Sequence, residues 1–276
     1  MLPIPTVHCV CTENWIIMIN KITVIPNSEN QRIFFFDEID LTQLPDQRIV
    51  PLFGPNGAGK TTLINGIYAW YQIQAAAENS KKKEDKDPFY GEFWATELKQ
   101  KSGVNIEQDE ASGAVYRYSN SSDNFRSRKP QSMEQYYSPN FFAARWDAAH
   151  ISEGQSIIYS AFGLLDGLIP GKDMLSDENT FVVALLDEID SGLSVDNIDI
   201  AMRKIKKALK MREKLQVFLS FNSPRILKYF PYVISMYDGK VREMHTDEDM
   251  LAEIKLNKKL FDKARKKANG MPKVFE

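Results

Sequence analysis

The sequence predicts an α/β protein with a mainly parallel central sheet, an antiparallel β edge and an inserted smaller lobe. Two observations predict it. Short apolar runs recur as "RIVPLF" at 48–53, "FVVALL" at 181–186 and "QVFLSF" at 216–221, each the length of a strand buried on both faces. Stretches with helical patterning alternate with these runs, and strand–loop–helix alternation around fully apolar strands argues for a parallel sheet. A third feature, the glycine-rich turn "GPNGAGKTT" at 54–62, joins the first run to a helix and supplies the chemistry.

At 276 residues the chain is long enough to bury one core with a smaller lobe attached. The net charge of −2 and a pI near 6.0 create no global field toward nucleic acid or anionic lipid, so such a partner would need a local patch. No apolar run approaches the ~20 residues that cross a bilayer. The opening segment also lacks the basic region of a signal peptide, so no direct membrane insertion is expected. Cys9 and Cys11 stand beside His8, but three ligands on one tail make a poor metal cage. They read as reduced thiols of a cytoplasmic chain.

In chain order, residues 1–17 read as a disordered extension, because Met18 opens "MINKITVI", a natural first strand over 18–25. Together with "RIFFF" at 32–36 it forms an opening antiparallel pair. The strand at 48–53 stops at glycine, and a helix follows from Lys60 through "TTLINGIYAWYQIQAAA". The expected core covers 18–68 and 140–245. Residues 69–139 read as the inserted lobe, beginning near the charged, solvated loop "ENSKKKEDKDP". Its aromatics, among them Phe89, Tyr90, Trp94, Tyr116 and Tyr118, serve as the lobe's own small core or a partner surface more readily than as base-stacking platforms. A helix is expected from about Ser152 to Leu168, a strand at 181–186, a helix over 195–210 and a strand at 216–221. The hairpin "YVISMYDGKVREM" turns at Asp238-Gly239, a favoured turn pair. Residues 246–276 form a charged C-terminal helix. Its stretch "KLNKKLFDKARKKA" leaves nucleic acid or an acidic protein open as a contact, although a solvated amphipathic face is the commoner use.

Three motifs carry chemistry. "GPNGAGKTT" fits G-x-x-x-x-G-K-[ST], so Gly54, Pro55, Asn56, Gly57, Ala58, Gly59, Lys60, Thr61 and Thr62 form a candidate ATP cradle. Its glycines let backbone N–H groups curl round a triphosphate, Lys60 reaches the β- and γ-phosphates, and the Thr61 hydroxyl ligates Mg²⁺. The helix that starts there turns its positive end toward the anion. "ALLDEIDSGLS" at 184–194 ends an apolar strand in two acids. Asp187 is the candidate Mg²⁺ ligand and Glu188 the residue that orients the attacking water. The plainer alternative, an acidic first turn of a helix, does not need the phosphate loop upstream. In "HISEGQS" at 150–156, Ser152 and Gln155 make a capping box on their own.

Taken together, "GPNGAGKTT", "SEGQ" and "LLDEIDSGLS" resemble the phosphate loop, signature and acidic-strand motifs of ATP-binding-cassette (ABC) ATPases, a P-loop NTPase class. The resemblance covers roughly residues 18–68 and 140–245. It is nearest to stand-alone members such as the SMC/RecF-type and iron–sulfur-assembly ATPases. It implies that Ser152, Gly154 and Gln155 reach ATP held by a second copy, so that the protein forms a homodimer on ATP binding. A capped helix N-terminus is a ready anion site. Ser191, Gly192 and Leu193 match the loop that crosses the seam, which ends in Ser194 where the family has aspartate. Asn222 stands where the family has histidine. It can hydrogen-bond a γ-phosphate oxygen but cannot carry a proton, so slow hydrolysis to ADP and phosphate is expected. Gln108 and Gln131 are the candidates for the lid glutamine. The implied function is an ATPase that switches a partner complex containing a nuclease, toxin or other effector, with nucleic acid as a further candidate target. The alternative is the energy subunit of an ABC transporter, against which Ile189-Asp190 stands where transporter cassettes carry Pro-Thr.

Overall fold

The computed structural model describes residues 18–25, 34, 36–81, 102–108, 114–119, 153–170 and 181–269. Two sheets organise them. A three-stranded antiparallel sheet has the order β2-β1-β4, with β1 at Ile19–Val24, β2 at Glu38–Asp40 and β4 at Val104–Gln108. The central sheet runs β5-β6-β7-β3-β8-β9. Its strands are β3 (Ile49–Phe53), β5 (Ala114–Ser119), β6 (Val182–Asp187), β7 (Leu215–Ser220), β8 (Tyr232–Ser235) and β9 (Val241–Glu243). Its pairings are parallel except for the β8–β9 hairpin, which supplies the expected antiparallel edge.

The three apolar runs become β3, β6 and β7, buried along their whole length. Alternate residues feed opposite faces, as the period of two requires. Val182, Ala184, Leu186, Val217 and Leu219 join one core, while Val183, Leu185 and Phe218 join the other. Proline is normally excluded from interior strands because it gives no N–H to the ladder. Pro51 is accommodated because β3 begins pairing with β8 only at Leu52.

Helix α1 (Lys60–Lys81) covers one face of the sheet, burying Leu63, Ile64, Ile67, Trp70 and Tyr71. It approaches the segment before β4 so closely that a Cβ on Gly66 would lie 2.6 Å from the Ser102 carbonyl oxygen. On the other face, α2 (Glu153–Gly167) packs against α3 (Val195–Met211). Ile198, Ala201, Met202, Ile205, Ala208 and Leu209 give α3 an apolar stripe at helical spacing, and the Ser194 hydroxyl caps it by accepting from Asn197 N–H at 3.4 Å. The last helix, α4 (Asp247–Asn269), starts with reciprocal caps. The Thr246 hydroxyl accepts from Asp249 N–H, and the Asp249 carboxylate accepts from Thr246 N–H. Among the described residues, no helix is long and apolar enough to cross a membrane.

Two expectations change. The antiparallel partners of β1 among the described residues are 38–40 and 104–108; of 32–36 only Phe34 and Phe36 are described, both buried. The boundary expected at residue 69 is not where the fold divides. α1 runs through it to Lys81, β4 completes the small sheet, and β5 is an outer strand of the central sheet. Tyr116 and Tyr118, expected in a separate lobe, therefore pack against the main core, Tyr118 fully buried. Residues 1–17 and the remaining lobe aromatics lie outside the described residues.

Candidate nucleotide site

The site is built where β3, β6 and β7 end side by side. β3 delivers the phosphate loop. Gly57 and Gly59 adopt φ of +85° and +90°, a region that side-chain-bearing residues rarely enter, so the loop turns its N–H groups inward. Gly54 is required for space, since a Cβ there would sit 2.9 Å from the Ala58 Cβ. Lys60, only 5% exposed, folds back to donate to the Gly54 carbonyl and to Asn222 Oδ1 at 3.2 Å. Burial holds its pKa below the ordinary lysine value, while the carboxylates Glu188, Asp190 and Asp187 pull the other way.

β6 delivers the acids. Asp187 is buried, and its Oδ1 accepts from the Thr61 hydroxyl at 3.1 Å and from the Ser220 hydroxyl at 2.7 Å. Glu188 is half-buried and lies at φ +51°, a left-handed conformation that glutamate adopts only where its surroundings enforce it. Its N–H donates to Ser220 Oγ at 2.8 Å, and its carbonyl accepts from Ser191 N–H at 2.9 Å. A cavity of 420 Å³ opens over these groups, lined by the phosphate loop and by Glu188.

The structure brings Gly54 to Thr62, Asp187, Glu188 and Asn222 to one end of the central sheet. Gly154 and Gln155 fall in the first turn of α2, and their side chains lie outside the described residues, as do Ser152 and Gln131. Gln108 is not at the site. It ends β4 in the small sheet, where its Oε1 accepts from the Tyr71 hydroxyl at 2.6 Å. The strand alongside β6 ends instead at Ser119, paired with Asp187. Ser191, Gly192 and Leu193 form turns closed by Ser191 N–H to the Glu188 carbonyl and Leu193 N–H to the Asp190 carbonyl.

Two contributors were missed by the motif reading, Ser220 and Asp190. The signal for Ser220 was available. In a parallel pair that sets Leu186 beside Leu219, the next residues are Asp187 and Ser220. Asp190 accepts from Asn222 N–H at 2.9 Å and from Ser223 N–H, which no spacing rule announces.

A phosphate loop after one strand and an acid pair at the end of another in a mostly parallel sheet, with Glu188 and the loop lining one cavity, fit the P-loop NTPase class. A family model described as an AAA domain matches residues 28–270, and the chain belongs to that family. Family membership supports ATP binding and ATPase activity in general terms. No curated protein matches the chain.

Proposed function

We propose that the protein is a stand-alone ABC-class ATPase of the cytoplasm that binds Mg-ATP between two head-to-tail copies and uses hydrolysis to switch a partner complex. One observation carries the reading. Lys60, Thr61, Asp187, Glu188 and Asn222, drawn from three separate segments, converge at one edge of one sheet. Thr61 and Asp187 fit Mg²⁺, since a hydroxyl and a carboxylate are the hard oxygen donors that a cation retaining waters and phosphate oxygens takes. When bound, the metal ion neutralises charge on the phosphates.

The chain's own groups divide the remaining work. The loop N–H groups and the N-terminus of α1 receive the phosphates. Lys60 exchanges its bonds to Gly54 and Asn222 for phosphate oxygens. Glu188 orients water for in-line attack, its side chain aimed by the enforced backbone turn. Asn222 donates its carboxamide N–H to the γ-phosphate. The start of α2 at Glu153, with Gly154 and Gln155 in its first turn, supports the role of that helix end as the part supplied by the second copy. The exposed Lys255 and Lys258 on α4 offer a contact for an effector or nucleic acid.

Phosphate release from Mg-ATP, measured beside a Glu188→Gln protein, tests the reading. The substitution is expected to lower kcat by roughly 10²-fold or more. It should also trap an ATP-dependent dimer in sedimentation, which Ser152→Arg abolishes. Equal turnover in the wild-type and Glu188→Gln proteins overturns it.

A further inference from the structure

The loops that leave β6 and β7 bond to each other in both directions. From β7, Ser220 accepts Glu188 N–H and donates to Asp187. From the β6 side, Asp190 Oδ2 accepts the N–H groups of Asn222 and Ser223. Asp190 is 8% exposed, and its other oxygen, Oδ1, is buried and meets no donor among the described residues. Burying a carboxylate is unfavourable unless its bonds compensate, and here the compensation is two charge-assisted bonds to one short stretch of backbone. That stretch lies between Phe221, buried in the core, and Pro224, which opens a 3-10 turn at Pro224–Lys228. Within it, Asn222 faces Lys60.

We infer that Asp190 is a positioning residue for hydrolysis, acting through Asn222. By holding two consecutive N–H groups it keeps the carboxamide between Lys60 and the space over the phosphate loop. The inference rests on the ATPase reading above. It also gives Asp190 a task that neither metal binding nor water activation assigns to it, and it makes the loop at 188–194 and the Asn222 loop move as one piece.

The chemistry predicts a distinctive pattern of substitutions. Asparagine at 190 retains an acceptor oxygen for both N–H groups, whereas alanine retains none. Asp190→Ala is expected to lower kcat about tenfold while the Kd for Mg-ATP changes less than about threefold, and Asp190→Asn to stay within about threefold of wild type. In a double-mutant cycle with Asn222→Ala, the effect of Asp190→Ala should largely vanish, because the residue it acts through is gone. Should Asp190→Ala not fold, Asp190→Ser, whose hydroxyl is too short to span both donors, is read in the same cycle. Additive effects with Asn222→Ala, a loss of ATP affinity as large as the loss of kcat, or an Asn variant as slow as the Ala variant each overturn the inference. If wild-type turnover equals that of Glu188→Gln, the ATPase reading itself falls, and with it this role. If wild type turns over and Asp190→Ala matches it, only the role of Asp190 falls.

Discussion

The two ends of the central sheet are built on opposite terms. At the end where the strands begin, the polar groups of Gln216 and Arg48 find partners within the chain. Gln216 is fully buried, accepts Ile19 N–H and donates to the Ile19 and Gln47 carbonyls. Arg48 gives its guanidinium donors to both Asp46 oxygens and the Leu209 carbonyl. Lys206 lies over the rings of Tyr229 and Phe230 at 5.3 and 5.5 Å. At the end where the strands finish, burial lowers the pKa of an amine, a glutamate is held at positive φ, and an aspartate oxygen meets no donor among the described residues. The cavity at the strand-start end is the larger, 560 against 420 Å³. What marks the candidate site is therefore a strained glutamate beside a buried amine and not room, since strained groups persist where they serve chemistry.

Three measurements would break or sharpen this contrast. The largest effects come from one substitution at each end. Glu188→Gln should cut kcat by roughly 10²-fold or more with little change in Tm. Gln216→Leu should do the reverse. It leaves buried groups on Ile19 and Gln47 without partners, which costs about 3 kcal/mol and lowers Tm by roughly 5 °C or more. Turnover per folded molecule should stay within about twofold. Loss of catalysis from Gln216→Leu at a temperature where it is folded would erase the distinction.

A smaller effect concerns protons. The folded pKa of Lys60 lies below the ordinary lysine value of 10.5 because of burial. In the window between them the unfolded chain binds more protons than the folded one, so stability rises with pH there and the burden of the buried amine is present in full below it. A bound triphosphate favours the ammonium. Calorimetry in buffers of different ionisation enthalpy should thus detect proton uptake on Mg-ATP binding at pH values below 10.5 where the free site has lost part of its charge. Uptake that is absent throughout would mean that Lys60 already carries its full charge.

The smallest effect lies on the surface beside the site. Asp199 pairs with Arg225, whose hydrogen bond chiefly lowers the Asp199 pKa from 3.8 to about 2. A depressed acid contributes stability above its unfolded pKa and loses it as pH falls through the folded one. Asp199→Asn should accordingly be slightly less stable than wild type at neutral pH, with the gap closing between 3.8 and about 2 in acid unfolding curves. A gap that persists at the acid end would locate the effect elsewhere.

Much of this was legible from residue pattern. The wholly apolar runs, the glycine-bounded loop and the Asp-Gly hairpin are local signals, and each became the element expected. The small sheet was harder. β1 finds partners at 38–40 and 104–108, and pairing between distant segments leaves no mark in either one. β5 misled for a related reason. "AVYRYS" alternates as an outer strand does, which says nothing about which sheet it borders. Residue type alone offers both Gln108 and Gln131 for the lid glutamine; the Tyr71 hydroxyl claims the Gln108 side chain, and Gln131 lies outside the described residues. Asn222 was legible because the resemblance has a phosphate-contacting residue at that place after the strand. Its tether to Asp190 was not, because a carboxylate accepting from backbone N–H groups imposes no requirement on their side chains.

Strand β7 bears Gln216 near its start and Ser220 at its end, and the two are joined by rigid backbone roughly 13 Å long. The first grips the outer three-stranded sheet and the second grips the acids. One strand therefore meets the small sheet at its start and the acid pair at its finish, so a substitution that shifts β7 along its axis would disturb both contacts together.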